Sequence, residues 1–71
     1  MAIGHALVLL QIDRPQEAST LSIMTERIIN RGSFSYPLFQ AYINSVDILE
    51  ELTYGGGISL DIATGLWVLQ N

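Results

Sequence analysis

Apolar positions recur along this chain in two helical stretches, one alternating stretch and one short N-terminal run that reads two ways. From Pro37 to Thr53, Phe39, Tyr42, Ile43, Val46, Leu49 and Leu52 return every three or four residues, the spacing of one helix face. Gln40, Asn44, Asp47, Glu50 and Glu51 fill the opposite face. Pro37 suits a first turn, and Ser35 can cap it. From residue 16 to 31, Leu21, Met24, Ile28 and Ile29 form a second stripe, with Thr25 and Glu26 turned away. Glu17 opens that stretch and Arg27 and Arg31 close it, which complements the helix dipole. Gly32 is placed to end the helix.

Residues 2–12 read two ways. Val8, Leu9, Leu10 and Ile12 can form a buried strand, whereas Ala2, Ala6, Leu7 and Leu10 can share a helix face. Periodicity does not separate the two in so short an apolar run; the order of the later elements favours a helix. After Tyr54-Gly55-Gly56-Gly57, the segment Ile58-Ser59-Leu60-Asp61-Ile62 alternates as a strand does. Ala63-Thr64-Gly65 then makes a turn with Gly65 in the left-handed position of a three-residue loop, and Leu66–Leu69 returns. The rival is a helix capped by Ser59, with Asp61 in its first turn and Gly65 in its interior at a cost of about 1 kcal/mol. The expected class is α+β, three helices and a C-terminal hairpin in one domain over residues 1–71. A β-α-α-β-β order with residues 5–12 as a strand, and an all-α fold, are the alternatives.

Composition narrows the function. Only 14% of the 71 residues are charged and 49% are hydrophobic, against about 25% charged in an ordinary soluble domain. A body this small holds a marginal core, so part of its apolar surface is expected to be covered by a larger protein or a second copy. Net charge is −4, with three arginines and no lysine, the wrong balance for direct contact with a phosphate backbone. Ala2–Leu10 is too short to cross a bilayer and lacks a basic leader, so it is expected to be core. The expected location is cytoplasmic, with no membrane contact.

The chemistry-bearing residues point to no reaction. His5 is the only histidine and there is no cysteine, so no metal set is expected. The serines have neither His–Asp support nor a nucleophile-elbow context. The glycine triplet follows a helix and is not succeeded by Lys-Ser/Thr, unlike a phosphate loop. No cofactor and no enzymatic activity are expected. Asp47 and Glu51 form a like-charge i, i+4 pair, and Glu50 adjoins them; a solvated acidic face is the plain reading, and a contact for a basic partner the sharper one. Trp67 lies in a run apolar on both strand faces and is a candidate interface anchor. The expected partner-contacting residues are therefore Gln40, Asn44, Asp47, Glu50, Glu51 and Trp67.

With Ala6–Ile12, Thr20–Asn30 and Pro37–Thr53 as helices and Ile58–Leu69 as a wing, the order resembles the winged helix-turn-helix superfold. Val46-Asp47-Ile48-Leu49-Glu50-Glu51-Leu52-Thr53-Tyr54-Gly55-Gly56-Gly57-Ile58 is similar to the helix end and wing of that superfold. Leu9-Leu10-Gln11-Ile12-Asp13-Arg14-Pro15, with Phe39 and the Val46–Leu52 run, resembles the small middle components of bacterial three-component ABC ATPase systems. That resemblance implies a non-catalytic adaptor beside a large ATPase of the structural-maintenance type. The chain departs from the pattern by starting close to its first helix and by its scarcity of basic residues. Two alternatives stay open: a DNA-binding regulator with Gln40 and Asn44 reading adenine edges and Arg27 and Arg31 on phosphate, and a small phage or plasmid inhibitor of a host protein.

Overall fold

The computed structural model describes residues 2–70; Met1 and Asn71, included in the expected 1–71 unit, lie outside the described residues. The first helix, α1, spans Ile3–Asp13. Its run of Ala and Leu carries good helix formers, and Ala6 and Leu10 bury completely. The strand alternative for residues 5–12 is not formed. The chain turns at Arg14, whose backbone leaves the helical region (φ −137°, ψ 66°) because Pro15 disfavours helical geometry in the residue before it. Pro15 then opens α2, Pro15–Ile29, where a missing N–H matters least. Helix α3, Tyr36–Leu52, is capped by Ser35, whose Oγ accepts a hydrogen bond from the Leu38 amide at 3.3 Å. Ends shift by one or two residues from those expected, as helix boundaries do.

Both long helices finish in the same way. At the end of α2 the Gly32 amide donates to the Arg27 carbonyl and the Arg31 amide to the Ile28 carbonyl. At the end of α3 the Gly55 amide donates to Glu50 and the Tyr54 amide to Glu51. These are paired Schellman bonds. The left-handed residue expected at Gly32 is instead Arg31 (φ 54°), and Tyr54 (φ 59°) holds the equivalent place after α3. A non-glycine residue there is strained by about 1–2 kcal/mol. Arg31→Gly is therefore expected to stabilise the chain by about 1 kcal/mol, read as a rise in the midpoint of urea unfolding. The Arg27 guanidinium, which donates to the Ser33 carbonyl, holds the α2–α3 connection independently.

Strands β1, Gly57–Asp61, and β2, Leu66–Gln70, pair antiparallel, so the all-α alternative is not formed either. Ile58 faces Leu69 and Leu60 faces Trp67 across the ladder, while Ser59 faces Val68 and Asp61 faces Leu66. Opposed residues share a sheet face. The first two pairs form the face turned to the helices, where Ile58 and Trp67 pack against the core. The connecting loop is one residue longer than expected and takes in Ile62. The Gly65 amide donates to the Asp61 carbonyl at 2.7 Å, and Asp61 Oδ1 accepts from the Ala63 amide at 3.0 Å. Gly65 does take the left-handed position (φ 73°). A Cβ added there would lie 3.0 Å from Ile29 Cδ1, so the loop is seated on the end of α2.

The core is Ala6, Leu10, Leu21 and Leu49, with Met24 also fully buried. Two expectations about faces are corrected. Ser45 is buried on α3 while Phe39 and Ile43 are partly exposed, because the buried stripe is rotated from the one the large apolar residues suggest. Ser45 satisfies its hydroxyl by donating to the Ala41 carbonyl at 2.8 Å, which removes the usual penalty for burying it. Thr25 does not turn away from the body of the molecule: its Oγ1 is buried.

Candidate functional site

Helix α3 sets out the expected polar residues on its outer side. Gln40, Asn44, Asp47 and Glu51 are exposed and Glu50 is half-buried, and their three- and four-residue spacing puts them on neighbouring ridges. Two residues absent from the expected set extend this surface: Ile43, 37% exposed, and Tyr54, 79% exposed just beyond the helix. The signal that could have found Tyr54 is its place before Gly55, where a Schellman ending puts the chain on the surface.

The electrostatics of this surface oppose helix stability. The last turn of α3 has no basic residue, yet carries Glu50 and Glu51, and the C-terminus of a helix disfavours negative charge by about 0.3–1 kcal/mol per group. Asp47 and Glu51 repel in addition. Among the described residues the one ion pair is Arg14–Glu17, at 3.8 Å on the surface. The backbone beneath the carboxylates is firmly tied, because Thr53 Oγ1 donates to the Glu50 carbonyl at 2.8 Å. The carboxylates thus sit on a rigid support without an ion-pair partner among the described residues.

Trp67 faces inward. Its ring lies 6.1 Å from that of Tyr42, which lies 6.4 Å from Phe39, which in turn stacks on Phe34 at 6.0 Å. The structure therefore separates Trp67 from the α3 carboxylates and joins it to a row of aromatic rings that runs from the hairpin to the surface. Burial raises the Tyr42 hydroxyl above its ordinary pKa of 10.0. A tyrosine that ionises less readily when folded contributes stability in full below pH 10, and that contribution is lost as pH rises through the folded value. Thermal stability is expected to fall on the alkaline side of pH 10, and to fall less in Tyr42→Phe, by melts across that range.

His5 is exposed on α1. Among the described residues no three His, Cys, Asp or Glu side chains come together as a metal set, and no helix is long and apolar enough to cross a membrane.

The comparisons with known proteins bear on the site next. A family model described as Integrator subunit 10 matches residues 1–66. Integrator complex subunit 10 of Mus musculus and that of Homo sapiens are each 36% identical over 67 residues, covering 87% of this chain and 9% of theirs. The Gallus gallus protein of that name is 35% identical over 66 residues, covering 86% of this chain and 9% of its own. The chain thus spans 9% of the length of these relatives. No solved structure matches it. The match overturns the resemblance to the middle components of bacterial ABC ATPase systems. Leu9–Pro15, Phe39 and Val46–Leu52, which carried that resemblance, are the helix stop and apolar helix positions that many small folds need, and so they did not separate one family from another. The matched span takes in all three helices and the first strand, and the chain belongs to the Integrator subunit 10 family.

Proposed function

We propose that this chain is a non-catalytic interaction segment of a subunit in a larger protein complex, and that the outer side of α3 is one of its contact surfaces. The observation that carries this reading is the acidic end of α3. Asp47, Glu50 and Glu51 weaken the helix that bears them and have no ion-pair partner among the described residues. A basic surface on a partner would offset both effects. Gln40 and Asn44 extend the polar rim of the same side, and Ile43 and Tyr54 supply apolar area beside it. The names of the relatives support membership of a complex. The location would follow the complex, and the cytoplasm expected from the sequence has no separate support. Direct reading of DNA by Gln40 and Asn44 is opposed by the carboxylates on the adjoining positions.

The reading separates stability from binding. Reversing Glu50 and Glu51 to Lys removes the unfavourable charge at the helix end, so the isolated chain is expected to gain roughly 0.5–1 kcal/mol. The same variant is expected to bind a complex lacking its own subunit 10 at least about tenfold more weakly, the size of a 1.4 kcal/mol loss. Unfolding curves and surface plasmon resonance read the two effects separately. Equal affinity of the variant and the parent chain would remove this surface from the interface.

A further inference from the structure

A cleft of about 380 Å³ opens between α1, α2 and the hairpin. Its apolar walls are Leu7 and Leu10 from α1, Leu21 from α2 and Trp67 from β2; Gln11, Ser22 and Glu26 supply polar positions. Its volume lies at the small end of ligand-binding cavities, about 300–1,000 Å³. Two exposed side chains on α1 favour a polypeptide over a small molecule as occupant. Next along α1 to Leu7 and Gln11 of the lining lie Val8 and Ile12, 50% and 68% exposed. A small ligand in the cleft would leave this flanking aliphatic surface in water, whereas a polypeptide laid across it would cover it.

The sign of the charge selects the kind of polypeptide. Among the described residues Glu26 is the only charged one in the lining, and none of the three arginines is there. Arg14 pairs with Glu17 and Arg27 reaches to the Ser33 carbonyl, both away from the lining. Thr25 also lines the cleft, and its buried Oγ1 has no hydrogen-bond partner among the described residues.

We propose that the α1–α2–hairpin cleft is a second contact surface, which takes a basic amphipathic segment of the partner with one aliphatic side chain against the half-buried Leu7 and Trp67 and an Arg or Lys on Glu26. This rests on the interaction reading above and adds to it a site that shares no residue with α3 and the chemistry of what enters. It also gives Trp67, which lines the cleft, a part in binding.

The test uses ¹⁵N-labelled full chain titrated with a synthetic amphipathic Leu/Lys peptide and with its Leu/Glu counterpart. The Leu/Lys peptide is expected to shift the Leu10 and Thr25 amides and the Trp67 indole N–H, and the Leu/Glu peptide to leave them in place. Glu26→Lys is expected to weaken Leu/Lys binding by about fivefold, the upper range for an exposed ion pair. Ser22→Trp, which fills the cleft from an exposed rim position, is expected to weaken it by roughly tenfold, about 1.4 kcal/mol; Glu26→Gln serves as a conservative check should either variant fail to fold. Shifts confined to α3, or equal binding of both peptides, would overturn the cleft assignment. The complex lacking subunit 10 keeps the two readings apart. Loss of binding in the Glu50/Glu51 reversal but not in Ser22→Trp would sink the cleft and leave the α3 surface standing; no binding by the parent chain would sink both.

Discussion

Leu49→Ala is expected to leave the isolated chain largely unfolded at physiological temperature. Leu49 is fully buried and lies with Leu10, Ala6 and Leu21 in the core cluster. Truncating a buried leucine costs about 2–5 kcal/mol, the lost transfer energy plus the cavity left behind. A core of this size supplies only about 3–5 kcal/mol of net stability, so one such loss consumes most of it. Circular dichroism should show a broad transition shifted far below that of the parent chain, or none. Ile12→Ala supplies the contrast. Ile12 is 68% exposed on α1, and a surface change of this kind stays within about 0.5 kcal/mol. If the two variants melted alike, the core would be wrongly placed.

Trp67→Ala is expected to have the second largest effect, because the Trp67 ring joins the hairpin to the helices. It packs against Tyr42 and the core cluster, and lies across the ladder from Leu60. Full truncation of a buried Trp costs about 3–5 kcal/mol; the ring here is half-buried, so a loss near the lower end is expected. Val68 is the control. It adjoins Trp67 on the same strand but points to the other face, beside Ser59. Val68→Thr keeps the branched shape that suits a strand and should melt within about 0.5 kcal/mol of the parent chain. A Trp67→Ala variant with an unchanged urea midpoint would show that the ring serves only a partner and that the hairpin is held by other contacts.

These two residues also show what the sequence reveals and what it hides. Leu49 falls on the three-and-four repeat of α3, and that repeat is enough to place it in a core. The hairpin is legible for a similar reason: alternation over 58–61 and a glycine at 65 leave few other local solutions. Trp67 is harder to place, because Leu66, Trp67, Val68 and Leu69 are all apolar and alternation cannot choose a face. Only the register, which sets Trp67 against Leu60 and Val68 against Ser59, settles which face meets the helices. Ser45 is hidden for the opposite reason. A serine reads as polar, yet its hydroxyl bonds back to Ala41 and its small volume fits the buried side of α3. Arg31 and Tyr54 show a third limit. Each stands before a glycine and takes a positive φ itself: after α2 the left-handed residue is Arg31 and not Gly32, and after α3 both Tyr54 and Gly55 are left-handed.

The candidate surface was legible as charge but not as geometry. The acidic positions of α3 can be read directly from the sequence, and so can the absence of lysine. The cleft cannot, because its walls come from three elements and its least expected member, Thr25, is a polar residue set among the apolar positions of α2. The family lay outside what local pattern could show. Apolar helix positions followed by a glycine turn are common to many folds, and the matching segment is 9% of the relatives' length.

The central claim, that this chain joins a larger complex through its own surfaces, is tested most directly by assembly in solution. The tagged full chain would be mixed with a purified Integrator complex lacking its subunit 10, and the product weighed by size-exclusion chromatography with light scattering. The account predicts co-elution at a fixed ratio that survives moderate salt and weakens with the Glu50/Glu51 reversal. A chain that elutes alone at every ratio, with the complex unchanged in mass, would contradict it.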